Sequence, residues 1–82
     1  MNIYRHIFTA KCPSQPAASI LYHLEIQTDQ VIMVEVIVAA CEEIREGFHE
    51  TIADKLHQQF GGCQTMTAHH HGVDIETRRG CE

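Results

Sequence analysis

Apolar and polar side chains alternate with a period of two at the start of the chain. In residues 3–11, Tyr4, His6, Phe8 and Ala10 share one face, and Ile3, Arg5, Ile7 and Thr9 share the other, which predicts a strand. Cys12-Pro13-Ser14-Gln15-Pro16 places two prolines within five residues and is expected to be a loop. Residues 20–28 alternate again, with Ile20, Tyr22, Leu24 and Ile26 opposite Leu21, His23, Glu25 and Gln27. The connection is short enough for an antiparallel hairpin.

From Val31 the period changes. Val31 to Val34 and Val36 to Val38 have strand propensity, yet Val34, Ile37, Val38, Cys41 and Ile44 recur at helical spacing. A helix over about 34–44 follows, its first turn open to an extended alternative. Phe48, Ile52, Ala53, Leu56 and Phe60 form a second apolar stripe, and Gly61-Gly62 stops it, which predicts a helix over 48–60. Residues 63–70 read as a third strand, with Met66 and Ala68 on one face and Thr65, Thr67 and His69 on the other. His71-Gly72 makes a turn, Val73 to Thr77 alternate as a fourth strand, and Arg78-Arg79 either end that strand or meet a phosphate. The order ββααββ predicts one α+β domain over 1–82, an antiparallel sheet with two helices on one face. Ile3 and Ile7 compete with Tyr4 and Phe8 for burial, so the first strand is expected to be covered on both sides, by a second copy in a homo-oligomer.

Composition fits that picture. With 82 residues, 44% of them hydrophobic, the chain has a small core that oligomerisation would help. A formal charge of -5, with 6 Lys and Arg, argues against nucleic-acid phosphate binding as the main task. The longest apolar stretch is broken by Glu35 and is too short to span a bilayer. Met1 to His6 carry no hydrophobic signal core, so a cytoplasmic protein is expected. Cys12, Cys41, Cys63 and Cys81 contain no Cys-x-x-Cys pair and are expected to be free thiols. Cys41 falls on a helix's apolar side, and Cys81 lies in the tail.

Candidate chemistry gathers at three places. Glu50 lies close to a helix start, where it either caps and solubilises the helix or points past its end toward a ligand. Cys12 follows a strand and is either an inert loop thiol or, beside a cation such as Lys11 or a histidine, a nucleophile. His69-His70-His71 forms the third. His69 and His71 are candidate zinc ligands if the strand carries both on one face, with His6, His23 and Cys63 on neighbouring strands.

The ββααββ order, the Phe48-His49-Glu50 helix start and the closing hairpin resemble a tunnelling-fold (T-fold) unit. GTP cyclohydrolase I, dihydroneopterin aldolase, the pyruvoyltetrahydropterin synthases and the 7-cyano-7-deazaguanine reductases share that unit. Thr9-Ala10-Lys11-Cys12-Pro13, Gln15-Pro16 and Gly47-Phe48-His49-Glu50 are most similar to the deazaguanine nitrile reductases. The resemblance implies a purine- or pterin-like ligand held by Glu50, with Phe48 as the second substrate-binding residue. It also implies Cys12 as a nucleophile toward a nitrile carbon and His49 as a proton-transfer group. The chain departs from those reductases in two places. No carboxylate stands between Cys12 and Ile20, where they carry an aspartate, and Glu35-Val36-Ile37-Val38 lacks the lysine of their NADPH-linked stretch. NADPH is therefore not carried over. The alternative reading is a non-catalytic or transition-metal-binding T-fold relative that uses the 69–71 histidines.

Overall fold

The two segments with period two at the N-terminus pair with each other, and the two at the C-terminus complete the sheet. In the computed structural model, which describes all residues from Met1 to Glu82, the strands are β1 (Asn2–Cys12), β2 (Gln15–Thr28), β3 (Cys63–His70) and β4 (Val73–Arg79). They form one sheet in the order β1-β2-β3-β4, with every neighbouring pair antiparallel. Helices α1 (Val34–Glu43) and α2 (His49–Phe60) connect β2 to β3 and share one core with a single face of the sheet. The expected α+β ββααββ arrangement is present. No helix is long and apolar enough to cross a membrane.

The first hairpin is tighter than the two prolines suggested. Only Pro13-Ser14 form the turn, and Pro16 lies within β2. The register explains this: Lys11 pairs with Ser19 but Cys12 with Gln15, so Pro16, Ala17 and Ala18 have no partner across the ladder. A residue without an N–H is tolerated at such a bulge. At the other end Arg78 and Arg79 close β4, as one of the two readings expected, and both are still paired, with Thr65 and Gln64. Arg79 Nε donates to Asp54 Oδ1 at 2.6 Å and ties β4 to α2.

Phe8, Tyr22, Leu24, Ile26 and Met66 of the sheet meet Ile37, Cys41, Ile52 and Leu56 of the helices in the buried core. Each such side chain contributes about 1.5–3 kcal/mol by leaving water. The α1 stripe is narrower than its spacing predicted. Ile37, Ala40 and Cys41 are buried, while Val34 and Val38 are exposed along with Val36, because only one edge of this short helix faces β1. Phe48 is likewise 53% exposed and does not anchor the α2 stripe, which begins at His49 and Ile52. Ile3, Ile7 and Leu21 are exposed on the open face of the sheet, so a single chain covers β1 on one side only.

Two connections set the geometry of the site. The segment before α2 docks on the outer edge of β1: Lys11 N–H donates to the Arg45 carbonyl at 2.9 Å, and Gly47 N–H donates to the Lys11 carbonyl at 3.1 Å. This short parallel bridge holds the start of α2 beside Cys12. After α2, Gly62 has φ 70°, and a Cβ there would lie 2.5 Å from the Gln27 carbonyl oxygen, so glycine is required where β3 is launched against β2.

Cys63 and Cys81 are joined in a disulfide, with Cα atoms 4.6 Å apart. The expectation of four free thiols is therefore corrected, and the tail cysteine is a structural group. Strand pairing brings Gly80 beside Gly62 and so sets Cys81 next to Cys63, a proximity that sequence spacing alone does not reveal. Cys12 and Cys41 remain free and buried.

Candidate active site

Cys12 and Phe48-His49-Glu50 are far apart in sequence but line one cavity of about 90 Å³. Cys12 enters from the end of β1, Tyr22 from β2, Phe48, His49 and Glu50 from the start of α2, and His70 from the end of β3. Ile20, Ala68 and Ile75 supply apolar wall. The bridge between Lys11 and Glu46 is what brings the thiol and the helix start together.

Cys12 Sγ lies 3.1 Å from Ser14 Oγ. That hydroxyl, as donor, lowers the thiol below its ordinary value, and the backbone N–H groups of Ser14 and Gln15 act in the same direction against burial and the Glu46 charge. Cys41 is the contrast, a core thiol that burial alone pushes up to about 11. The thiolate character is therefore concentrated at Cys12.

His49 is 5% exposed, and its Nε2 lies 3.0 Å from the Met66 carbonyl and 3.2 Å from Thr77 Oγ1. A carbonyl only accepts, so Nε2 carries the proton and donates it. Nδ1 is then the bare nitrogen, and it is buried without a partner in the chain. Burial pushes the imidazole below its ordinary value, outweighing the bond to Met66 and the charge of Glu50, which both raise it. His49 is thus held neutral, with its ring edge-on to Tyr22 at a centroid distance of 5.3 Å. Tyr22 in turn stacks on Phe8 at 5.2 Å, and burial, followed by the charges of Cys12 and Glu50, raises its hydroxyl above the ordinary value.

Glu50 is exposed in the first turn of α2 and makes no hydrogen bond or ion pair within the chain. A carboxylate placed there interacts favourably with the helix macrodipole. Phe48, at the helix N-cap, is the exposed aromatic of the site. Sequence reasoning singled out these four residues; it placed Tyr22 only on the apolar face of a strand and His70 only within the 69–71 run, and it did not single out Ser14. For His70 the signal was present: extending the Met66, Ala68 alternation by one step puts it on the same face.

The histidine run divides. β3 ends at His70, and His71 has φ 53° in a two-residue turn with Gly72, so His69 and His71 do not share a strand face. His69 faces the open side of the sheet, where its Nδ1 lies 2.8 Å from Asp74 Oδ1. His6 pairs with buried Leu24 on the helix side and His23 lies opposite Ile7 and Thr67, so these two point to different faces. No group of three His, Cys, Asp or Glu side chains gathers to hold a metal ion. The residues standing in place of an NADPH-linked stretch, Glu35 to Val38, lie on α1 and do not line the cavity. The 69–71 histidines therefore do not gather with other ligands as a zinc site requires.

Two larger hollows, of about 580 and 460 Å³, lie on the open face of the sheet. In the first Arg5 pairs with Glu25 at 2.9 Å, and in the second His69 Nδ1 lies 2.8 Å from Asp74 Oδ1. The small cavity, by contrast, is where unpartnered polar groups and a thiol of lowered pKa converge. The chain matched no protein-family model, no curated protein and no solved structure in these comparisons.

Proposed function

We propose that this chain binds a flat purine- or pterin-like heterocycle through Glu50 and acts on it with Cys12, as an enzyme of deazapurine or pterin chemistry. The observation that carries the reading is the shared cavity: a thiol of lowered pKa, a free carboxylate at a helix start and a neutral buried histidine meet there. Glu50 has two oxygens to accept parallel hydrogen bonds from a ring N–H and an exocyclic amine, the pattern of a guanine-like edge. Phe48 offers a face for stacking. Cys12, as thiolate, adds to an electrophilic ring substituent such as a nitrile carbon.

A cavity of about 90 Å³ is small beside the roughly 300–1,000 Å³ of sites that enclose a small ligand. One chain therefore receives an edge of the heterocycle, and a homo-oligomer closes the rest. Exposed Ile3, Ile7, Val34 and Val38 on and beside β1 supply apolar surface for that assembly. The metal-binding alternative has no gathered ligand set in its support.

The test is calorimetric titration with a panel of pterins, guanine and 7-cyano-7-deazaguanine, repeated on Glu50→Gln. The amide replaces one acceptor by a donor, which opposes the ligand amine. Since hydrogen bonds to charged groups are worth about 1.5–3 kcal/mol, affinity is expected to fall by about 10- to 150-fold. Silence of the wild-type chain across the panel overturns the proposal.

A further inference from the structure

Besides Tyr22, four side chains that can bind or release a proton line the cavity: Cys12, His49, Glu50 and His70. Three have a place in the geometry already. Cys12 is engaged with Ser14, His49 donates Nε2–H to the Met66 carbonyl, and Glu50 stands at the helix start as the acceptor for the ligand edge. His70 makes no side-chain hydrogen bond or ion pair within the chain. Its half-buried ring lies edge-on to His71, with centroids 4.2 Å apart, and it is the last residue of β3. Strand alternation turns it toward the helix-covered side with Met66 and Ala68, away from His69.

Addition of a thiolate to a carbon–nitrogen triple bond leaves a definite need. A C–S bond forms, one π pair moves onto nitrogen, and that nitrogen must take a proton. No Asp or Glu stands between Cys12 and Ile20 to supply it. The bare Nδ1 of His49 has no proton to give, and Glu50 is the acceptor for the base edge.

Resting on the heterocycle reading above, we infer that His70 is the catalytic acid of this site, protonating the ligand nitrogen as Cys12 adds to the adjacent carbon. The imidazolium of His70 gives its proton to nitrogen, and the proton released by the Cys12 thiol restores it. Thiol plus nitrile thus becomes a thioimidate, with no oxidant or reductant consumed. The titratable groups facing His70 are Cys12 from β1, Tyr22 from β2, His49 and Glu50 from α2, and His71 from the turn, so the pH profile belongs to this set.

The experiment follows adduct formation with 7-cyano-7-deazaguanine by intact mass over about pH 5 to 9, for the wild type, Cys12→Ser, His70→Gln, His70→Asn and His69→Gln. The wild type is expected to gain one ligand mass and Cys12→Ser none. Both His70 variants should form the adduct about 100-fold more slowly and lose one limb of the pH–rate profile, with ligand affinity kept and His69→Gln, on the open face of the sheet, unchanged. If the wild type forms no adduct, the thiol chemistry falls and this inference with it. If the wild type forms it and a folded His70 variant matches its rate and profile, the assignment to His70 alone is overturned. A wild-type profile with no acid-dependent limb overturns it without any variant.

Discussion

Acidification tests the account of His49 directly. Its ring is 5% exposed, and a second proton would go to Nδ1, which is buried with no acceptor nearby in the chain. Burial therefore holds the folded imidazole below its ordinary value of 6.5. Between the folded and unfolded values the unfolded chain binds the extra proton and the native chain does not, so stability rises with pH. Put the other way, stability that is present above about 6.5 is lost as pH falls below it. One proton sets the ceiling at about 1.4 kcal/mol per pH unit. Against a total of about 4–12 kcal/mol for a chain of 82 residues, that is a measurable fraction. With a urea m-value of about 1–1.5 kcal/mol/M, the unfolding midpoint should fall by up to about 1.4 M per pH unit. Glu25, held low by its bonds from Gln27 and Arg5, loses its own contribution only as pH falls from its ordinary value of 4.5, so it does not enter the window from pH 6.5 to 5, and comparison with His49→Gln separates His49 from the other histidines. The assay is urea unfolding by circular dichroism at half-unit steps from pH 7.5 to 5, on the wild type and His49→Gln. The glutamine keeps an N–H for the Met66 carbonyl and removes the titration. A wild-type midpoint that stays flat, or a His49→Gln slope equal to the wild type, would refute the reasoning.

Other consequences follow from the cysteines. Alkylation of the folded chain with iodoacetamide should reach Cys12 before Cys41, whose thiol burial raises to about 11. Ser14→Ala, which removes the hydroxyl 3.1 Å from Cys12 Sγ, should shift the Cys12 reaction to higher pH; an unchanged rate–pH curve by peptide mass mapping would count against the contact. Reducing the Cys63–Cys81 disulfide, or replacing both residues by Ser, frees a segment with a separation of 18 residues. By the chain-entropy argument this costs about 3 kcal/mol, or about 10–20 °C in Tm for a domain of this size. Identical melting with and without reductant would show that the bond adds nothing.

Local pattern determined the elements of this protein, because which face of a strand or helix is apolar is written in neighbouring residues. The alternation of Ile20, Tyr22, Leu24 and Ile26, the Ile52, Ala53, Leu56 stripe and the Gly61-Gly62 stop are sufficient for β2, α2 and the order ββααββ. The motif residues Cys12, Phe48, His49 and Glu50 were legible too, but only as separate points along the chain. Their meeting depends on a backbone bridge between Lys11 and the segment 45–47, two hydrogen bonds between groups whose side chains carry no signal of it. Tertiary structure alone also decided what each group can do: Met66 and Thr77 fix the tautomer of His49, and Ser14 tunes Cys12. It separated His69 and His71 by ending β3 between them, and it paired Cys63 with Cys81 through the register of β3 with β4. Sequence periodicity records faces, whereas proximity between elements is set by pairing and turn geometry.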